Sequence, residues 1–394
     1  MAKTPHRRRR WPWLAGALAL VLVTAFFSLA PGIVERSLNR IEGSGEWNVS
    51  SRARALHQRL FIADLHADTL LWKRDPLRRA GRGHVDFPRL EEGNVALQLF
   101  ASVTKTPSGQ NYDANSADSD NITTLAMAQL QPPRTWDSLL QRSLWHAERL
   151  RRATAADHDV SIILTSADID RLIARRRVGG GTPIGAMLSI EGLQNLEGQL
   201  SNVDVLFDAG YRMAGLAHFF DNEVAGSMHG TRKGGLTPLG RKVMQRMEEK
   251  GMIIDIAHAS HKAVADVLAV ATKPVVTSHG GVKATCDTNR NLTDEEIRGI
   301  AATGGVVGIG FWDAAVCAAT PQATARAMRH VRDLVGIDHV ALGSDWDGAT
   351  TVGFDAAGLA AVTQALIDQG FTDAEIEKAM GGNVIRVLKA TLPR

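Results

Sequence analysis

The chain has 394 residues, 22% of them charged and 44% hydrophobic, the balance of a globular protein with room for one large domain or two ordinary ones. Its net charge is +3, yet five positive charges (Lys3 and Arg7 to Arg10) lie in the first ten residues, so the remainder sits at about −2. That argues against nucleic-acid binding, which needs a basic surface on the folded body; the short arginine-rich stretches at 74–82 and 171–177 read as solvated faces.

In chain order, a basic segment at 1–10 precedes "WPWLAGALALVLVTAFFSLAPGIV", residues 11–34, which contain no charge. A helix of this length crosses a bilayer, and the arginines before it stay on the cytoplasmic side. An uncleaved signal anchor and a cleaved signal peptide compete as readings. "SLA" at 28–30 resembles a cleavage box, but Pro31 would follow the cut directly and the apolar run is long for a signal peptide, which favours the anchor. The expected location is a bacterial inner membrane, crossed once, with the body on the periplasmic or extracytoplasmic side. Residues 35–60 read as a linker and a leading helix, "SSRARALHQRL", before a barrel domain at 61–394.

Eight short apolar runs follow: "FIADLH", "NVALQLF", "GAMLSI", "YRMAGLAH", "GMIIDIAH", "KPVVTSH", "GGVVGIGF" and "DHVALGSD". They are nearly continuous rather than alternating, as in parallel strands covered on both faces. "DVSIILT" at 159 is a candidate extra strand. Helical separators include "PLGRKVMQRMEEK" and "TDEEIRGIAAT", the latter with Thr293 and Glu296 spaced as a capping box. Eight such units predict a (β/α)8 TIM-like barrel with an N-terminal transmembrane helix. A doubly wound sheet is the runner-up, weakened because no glycine-rich phosphate loop follows the first strand. Residues 101–120 read as a long polar loop on the face where the strands end, and 131–158 as helical.

Polar residues punctuate the strand ends: His66 and Asp68, Glu191, His218, His258, His279 and Asp345. C-terminal strand ends converge in a barrel, and imidazoles mixed with carboxylates suit two divalent cations, zinc best. The remaining histidines, including His229 and His261, read as surface or packing residues. Asp255 reads as structural. Of Asp345 and Asp347, Asp345 is preferred as the residue facing the metals.

The chain resembles the membrane (renal) dipeptidases, dizinc metallopeptidases of the amidohydrolase-like barrel group. The resemblance rests on "DLHADTL" at 64–70, "SIEG" at 189–192, "GLTPLGRKVMQRMEEKGMIIDIAHAS" at 235–260, "PVVTSHGG", "RNLTDEE" and "ALGSDWDG", and runs from about residue 60 onward. It implies that His66 and Asp68 ligate one zinc, that His258 and His279 ligate a second, and that Glu191 bridges the two. It further implies that His218 contacts the substrate and its tetrahedral oxygen, that Arg290 grips the substrate's C-terminal carboxylate, and that Asp345 relays the proton. The expected activity is hydrolysis of dipeptides, tolerant of a D-residue at the C-terminal position, by a hydroxide held between the metals. Another binuclear-metal amide or β-lactam hydrolase on the same barrel is the alternative, followed distantly by a non-catalytic membrane-tethered binding protein. The partners expected are a dipeptide and the membrane, with a homodimer left open.

Gly280 and Gly281 depart from the family pattern and are expected to loosen the loop near the second metal. The insert at 101–125 departs too. Cys286 and Cys317 resemble a disulfide of the mammalian relatives that joins the loops after the sixth and seventh strands.

Overall fold

The computed structural model describes residues 11–43, 47–178 and 181–394; the basic segment 1–10 lies outside them. All eight apolar runs form strands: β1 (Ile62–Ala67), β2 (Val95–Val103), β3 (Ile184–Glu191), β4 (Tyr211–Gly215), β5 (Ile253–Asp255), β6 (Val275–Thr277), β7 (Val306–Ile309) and β8 (Val340–Leu342). Each pairs in parallel with the next. Leu342 of β8 pairs with Asp64 of β1 and closes a ring of eight. The candidate extra strand is real but stands outside the ring: Val160–Ile162 pairs only with the start of β3, Val160 against Ile184.

The strands of the ring are buried on both faces, and this is why they lack alternation. Residues such as Leu97, Met187, Met213 and Ile253 pack in one buried cluster, while Phe100, Leu188 and Ile254 belong to the larger one under the surrounding helices. The predicted helices run Pro238–Lys250 and Asp294–Ala302. The second opens on the complete capping box of Thr293 and Glu296.

The uncharged run is helical, but the helix extends to Leu38, past the end of that run. It continues because Glu35 finds cations. Its buried carboxylate pairs with Arg74, and with Arg82 at 2.6 Å. Arg74 is therefore no solvated residue; it is buried and also pairs with Asp347. The segment just past this helix is knitted to the barrel. Arg40 and Ile41 pair in parallel with Thr351 and Val352, and Asn39 accepts a hydrogen bond from the Ala349 amide at 2.8 Å. The leading helix is Ser51–His57, whose His57 contacts Thr363 Oγ1 and the Gly93 carbonyl at 2.8 and 3.0 Å.

Candidate metal centre

Four imidazoles from four strand ends meet one carboxylate. Glu191 Oε1, at the end of β3, lies 3.0 Å from His258 Nε2, 3.3 Å from His279 Nε2, 3.4 Å from His218 Nε2 and 3.7 Å from His66 Nε2. Asp68 and Asp345 flank His66 Nε2 at 3.4 and 4.0 Å. All seven side chains are buried, and they form three overlapping groups able to hold a metal ion: His66–Glu191–His279, Glu191–His218–His258 and His66–Asp68–Asp345.

Atoms that water or protein would normally satisfy have no hydrogen-bond partner among the described residues, notably His66 Nε2 and Asp68 Oδ1. Buried polar groups are costly unless paired or bound to a metal. His258 Nε2 and His279 Nε2 stand 2.9 Å apart, a separation in which two neutral imidazoles can share at most one proton. Orphaned donors of this nitrogen–oxygen mixture fit divalent cations.

The electrostatics point the same way. Burial pushes Glu191 well above the usual carboxylate range, reinforced by Asp68. Burial likewise lifts Asp345 to about 8, against the pull of His66. His66 loses to burial but gains more from Asp68, Glu191 and Asp345, and rises to about 10. Burial drives His218 down to about 3, and with the help of nearby cationic groups drives His258 and His279 down as well. Protons alone therefore leave mismatched carboxylates and imidazoles crowded together, and bound cations invert this local balance.

Supporting residues aim the ligating atoms. Asp255 accepts the Ser278 hydroxyl at 2.6 Å, and Ser278 Oγ lies 2.8 Å from His279 Nδ1, which leaves Nε2 toward the centre. Asp64 accepts from Ser344 and Gln98 at the root of β1 and β8. Asp347 turns away from the centre and accepts from Thr69 Oγ1 and the His84 amide at 2.8 and 2.6 Å. The backbone is strained at this end of the barrel: His258, Asp345, Asp347 and Ala349 hold φ values of 63°, 57°, 63° and 58°. Side-chain-bearing residues rarely adopt that left-handed region.

Arg290 is also buried. Its Nη2 donates to the His279 carbonyl at 3.0 Å, its guanidinium lies 5.7 Å from the Trp312 ring centre, and its Nε has no partner among the described residues. With Glu191, His218, His258 and Asp345 it lines a cavity of about 430 Å³. The insert supplies Thr106, Gln110 and Tyr112 to the same cavity.

One reading changes and one narrows. Of the surface and packing roles expected for His229, the structure shows packing: the residue is fully buried. It stacks on Phe219 with centroids 4.7 Å apart, sits 5.3 Å from the His258 ring, and approaches the Tyr112 carbonyl through Nδ1 at 2.9 Å. Its position in a glycine-rich loop gave no periodic signal. Gly280 and Gly281 do not loosen their loop. A side chain on Gly281 would collide with the Ala315 carbonyl, and one on Gly280 would lie 3.3 Å from Arg290 Nη1. The Cys286–Cys317 disulfide ties the same two loops together.

A parallel barrel that gathers carboxylates and imidazoles around orphaned buried atoms defines a metal-dependent hydrolase. The comparison with known proteins narrows this: the model for "Membrane dipeptidase (Peptidase family M19)" matches residues 50–392, and the chain belongs to that family. Its activity is metal-dependent hydrolysis of dipeptides at a dizinc-type centre. An uncharacterized dipeptidase from Schizosaccharomyces pombe is 29% identical over 322 residues, covering 78% of this chain and 73% of the relative. The fold is shared with the probable dipeptidase PvdM from Pseudomonas aeruginosa (TM-score 0.73, 21% identity, 86% of this chain and 97% of that one). It is also shared with a metallopeptidase from Rhodobacter sphaeroides bound to a phosphinate mimic of the dipeptide L-Ala-D-Ala (TM-score 0.67, 24% identity, 84% and 99%). Among the described residues, one helix, Trp13–Leu38, is long and apolar enough to cross a membrane, with a mean hydropathy of 2.3.

Proposed function

We propose that two zinc ions would be held here, one by His66 and Asp68 and one by His258 and His279, with Glu191 serving both. The reading is carried by a single observation: one oxygen of Glu191 lies within 3.7 Å of four imidazole nitrogens from four strands. When bound, the ions would supply an activated water as nucleophile near neutral pH and would polarise the scissile carbonyl. The other steps fall to the chain itself. Arg290 presents unused donors to the cavity and binds the substrate's free carboxylate, for which a guanidinium fork is the matching partner. His218, whose Nε2 faces the centre 3.4 Å from Glu191 Oε1, contacts the substrate at the carbonyl oxygen as it gains charge. Asp345, which lies at the centre beside His66, receives the water's proton and passes it to the leaving amine.

A carboxylate clamp favours dipeptides over longer chains. Nothing in this arrangement demands an L-residue at the C-terminal position, and the relative captured with an L-Ala-D-Ala mimic supports acceptance of a D-residue. The arginines that precede the span support a body on the periplasmic side of a bacterial inner membrane. The test is turnover of an L-L and L-D dipeptide panel by full-length protein after chelation, with zinc restored stepwise and counted. Activity returning as the metal approaches two per chain is the expected result. Full activity with metal stripped, or saturation at one ion, would refute the reading.

A further inference from the structure

The candidate cavity has a second character at its other end. Val34 and Leu38, on the last turns of the membrane helix, line it beside Leu71, Trp72, Ile122 and Leu125. The two helix residues are 41% and 43% exposed, so they present apolar surface rather than pack away in the core. The helix also packs against Asn121–Ala128, the helix of the insert that carries Ile122 and Leu125.

This wall is fixed rather than leaning. Glu35, between Val34 and Leu38, pairs with Arg74, which in turn pairs with Asp347. Asn39 holds the Ala349 amide, and Arg40–Ile41 pairs with Thr351–Val352. All three ties reach the loop after β8, the loop of Asp345, and its Gly348, Ala349 and Thr350 line the same cavity. The wall thus has a set position relative to the reacting groups.

Its direction comes from the ring. Leu71 and Trp72 come after β1, whereas Arg290 comes after β6, three strands away round the barrel through β8 and β7. A dipeptide held by its carboxylate at Arg290 and crossing the metal centre therefore points its N-terminal residue at the wall. We propose that Val34 and Leu38 are specificity-determining residues, and that the membrane helix makes the enzyme prefer dipeptides with a large apolar side chain on the N-terminal residue. This rests on the carboxylate clamp and metal centre proposed above.

The test uses full-length, zinc-loaded protein in lipid nanodiscs and compares kcat/KM for Leu-Ala with that for Gly-Ala. Wild type should favour Leu-Ala. In Val34→Ser/Leu38→Ser that preference should fall about tenfold, mostly through KM, the size expected when an apolar pocket loses its complement to a side chain. Ser37→Ala, on the same turn but off the wall, should keep the wild-type ratio. If the double serine variant does not accumulate, Leu38→Ala should still lower the ratio severalfold. An unchanged ratio in a variant that retains its metal would overturn the proposal. So would a preference that shifts between Ala-Leu and Ala-Gly instead, which would put the wall beside the C-terminal residue. An equal fall on both substrates would reduce the helix to structural support. Metal-replete wild type that hydrolyses no dipeptide would instead refute the underlying function, a result separable from all of these.

Discussion

Replacing Arg290 by alanine is the sharpest probe of how the substrate is held. The residue is 3% exposed, donates through Nη2 to a backbone carbonyl, lies 3.5 Å from His258 Nε2, and has no partner for its Nε among the described residues. A bidentate grip on a carboxylate supplies two charge-assisted hydrogen bonds, each worth about 1.5–3 kcal/mol. The loss of one to two of them predicts a drop of roughly 10- to 10⁴-fold in kcat/KM for a dipeptide. Arg290→Lys should fall between, since it keeps the charge without the fork. A dipeptide amide, which lacks the carboxylate, should be a poor substrate of the wild type and lose little further in the variant. Bound metal should be unchanged, as Arg290 is not among the grouped ligands. The assay is steady-state hydrolysis of the paired substrates by both proteins, with metal counted in each sample. Equal losses on acid and amide would refute a role in reading the terminus and leave Arg290 as a support of the β6 loop.

Asp255→Asn should weaken zinc binding about 10- to 100-fold by slackening the Ser278–His279 chain, as measured by competition with a chelator; unaltered affinity would show that His279 is aimed by its packing alone. Cys286→Ser/Cys317→Ser opens a link of 31 residues' separation and should cost about 3–4 kcal/mol, read as a lower denaturation midpoint with metal bound. Burial lowers the pKa of His57 to about 4 and of His146 to about 3. The unfolded chain protonates these groups below about pH 6.5 while the folded chain does not, so their contribution is complete above that pH. It is lost as pH falls toward 4 and 3, at about 1.4 kcal/mol per pH unit for each histidine. Denaturation midpoints for wild type and His146→Gln should show the shallower acid decline in the variant; parallel declines would exclude His146 as a source.

The barrel is legible because its strands are buried on both faces, leaving runs such as "GMIIDIAH" whose apolar stretch ends on a polar residue. The same break marks His66, Glu191, His258, His279 and Asp345, and the structure gathers all five. The illegible parts depend on partners distant in sequence. Arg74 sits in an arginine run and looks solvated until Glu35, 39 residues earlier, closes over it. His229 lies in a loop with no period, and its burial comes from Phe219 and the Tyr112 carbonyl of the insert. Gly281 reads as freedom, but its lack of a side chain is spent on the close approach of Ala315.

The left-handed backbone at His258, Asp345, Asp347 and Ala349 divides the mouth of the barrel into two kinds of position. Glycine would relax any of the four, by about 1 kcal/mol. Ala349 uses its backbone amide to hold Asn39, a bond that glycine would keep, so relief there is open to an engineer seeking a hardier enzyme. At His258 and Asp345 the same exchange would delete the group that the strained turn exists to aim. Thermal resilience and turnover are thus directly opposed at two residues, whereas at a third no reacting side chain is lost, all at one end of the same barrel.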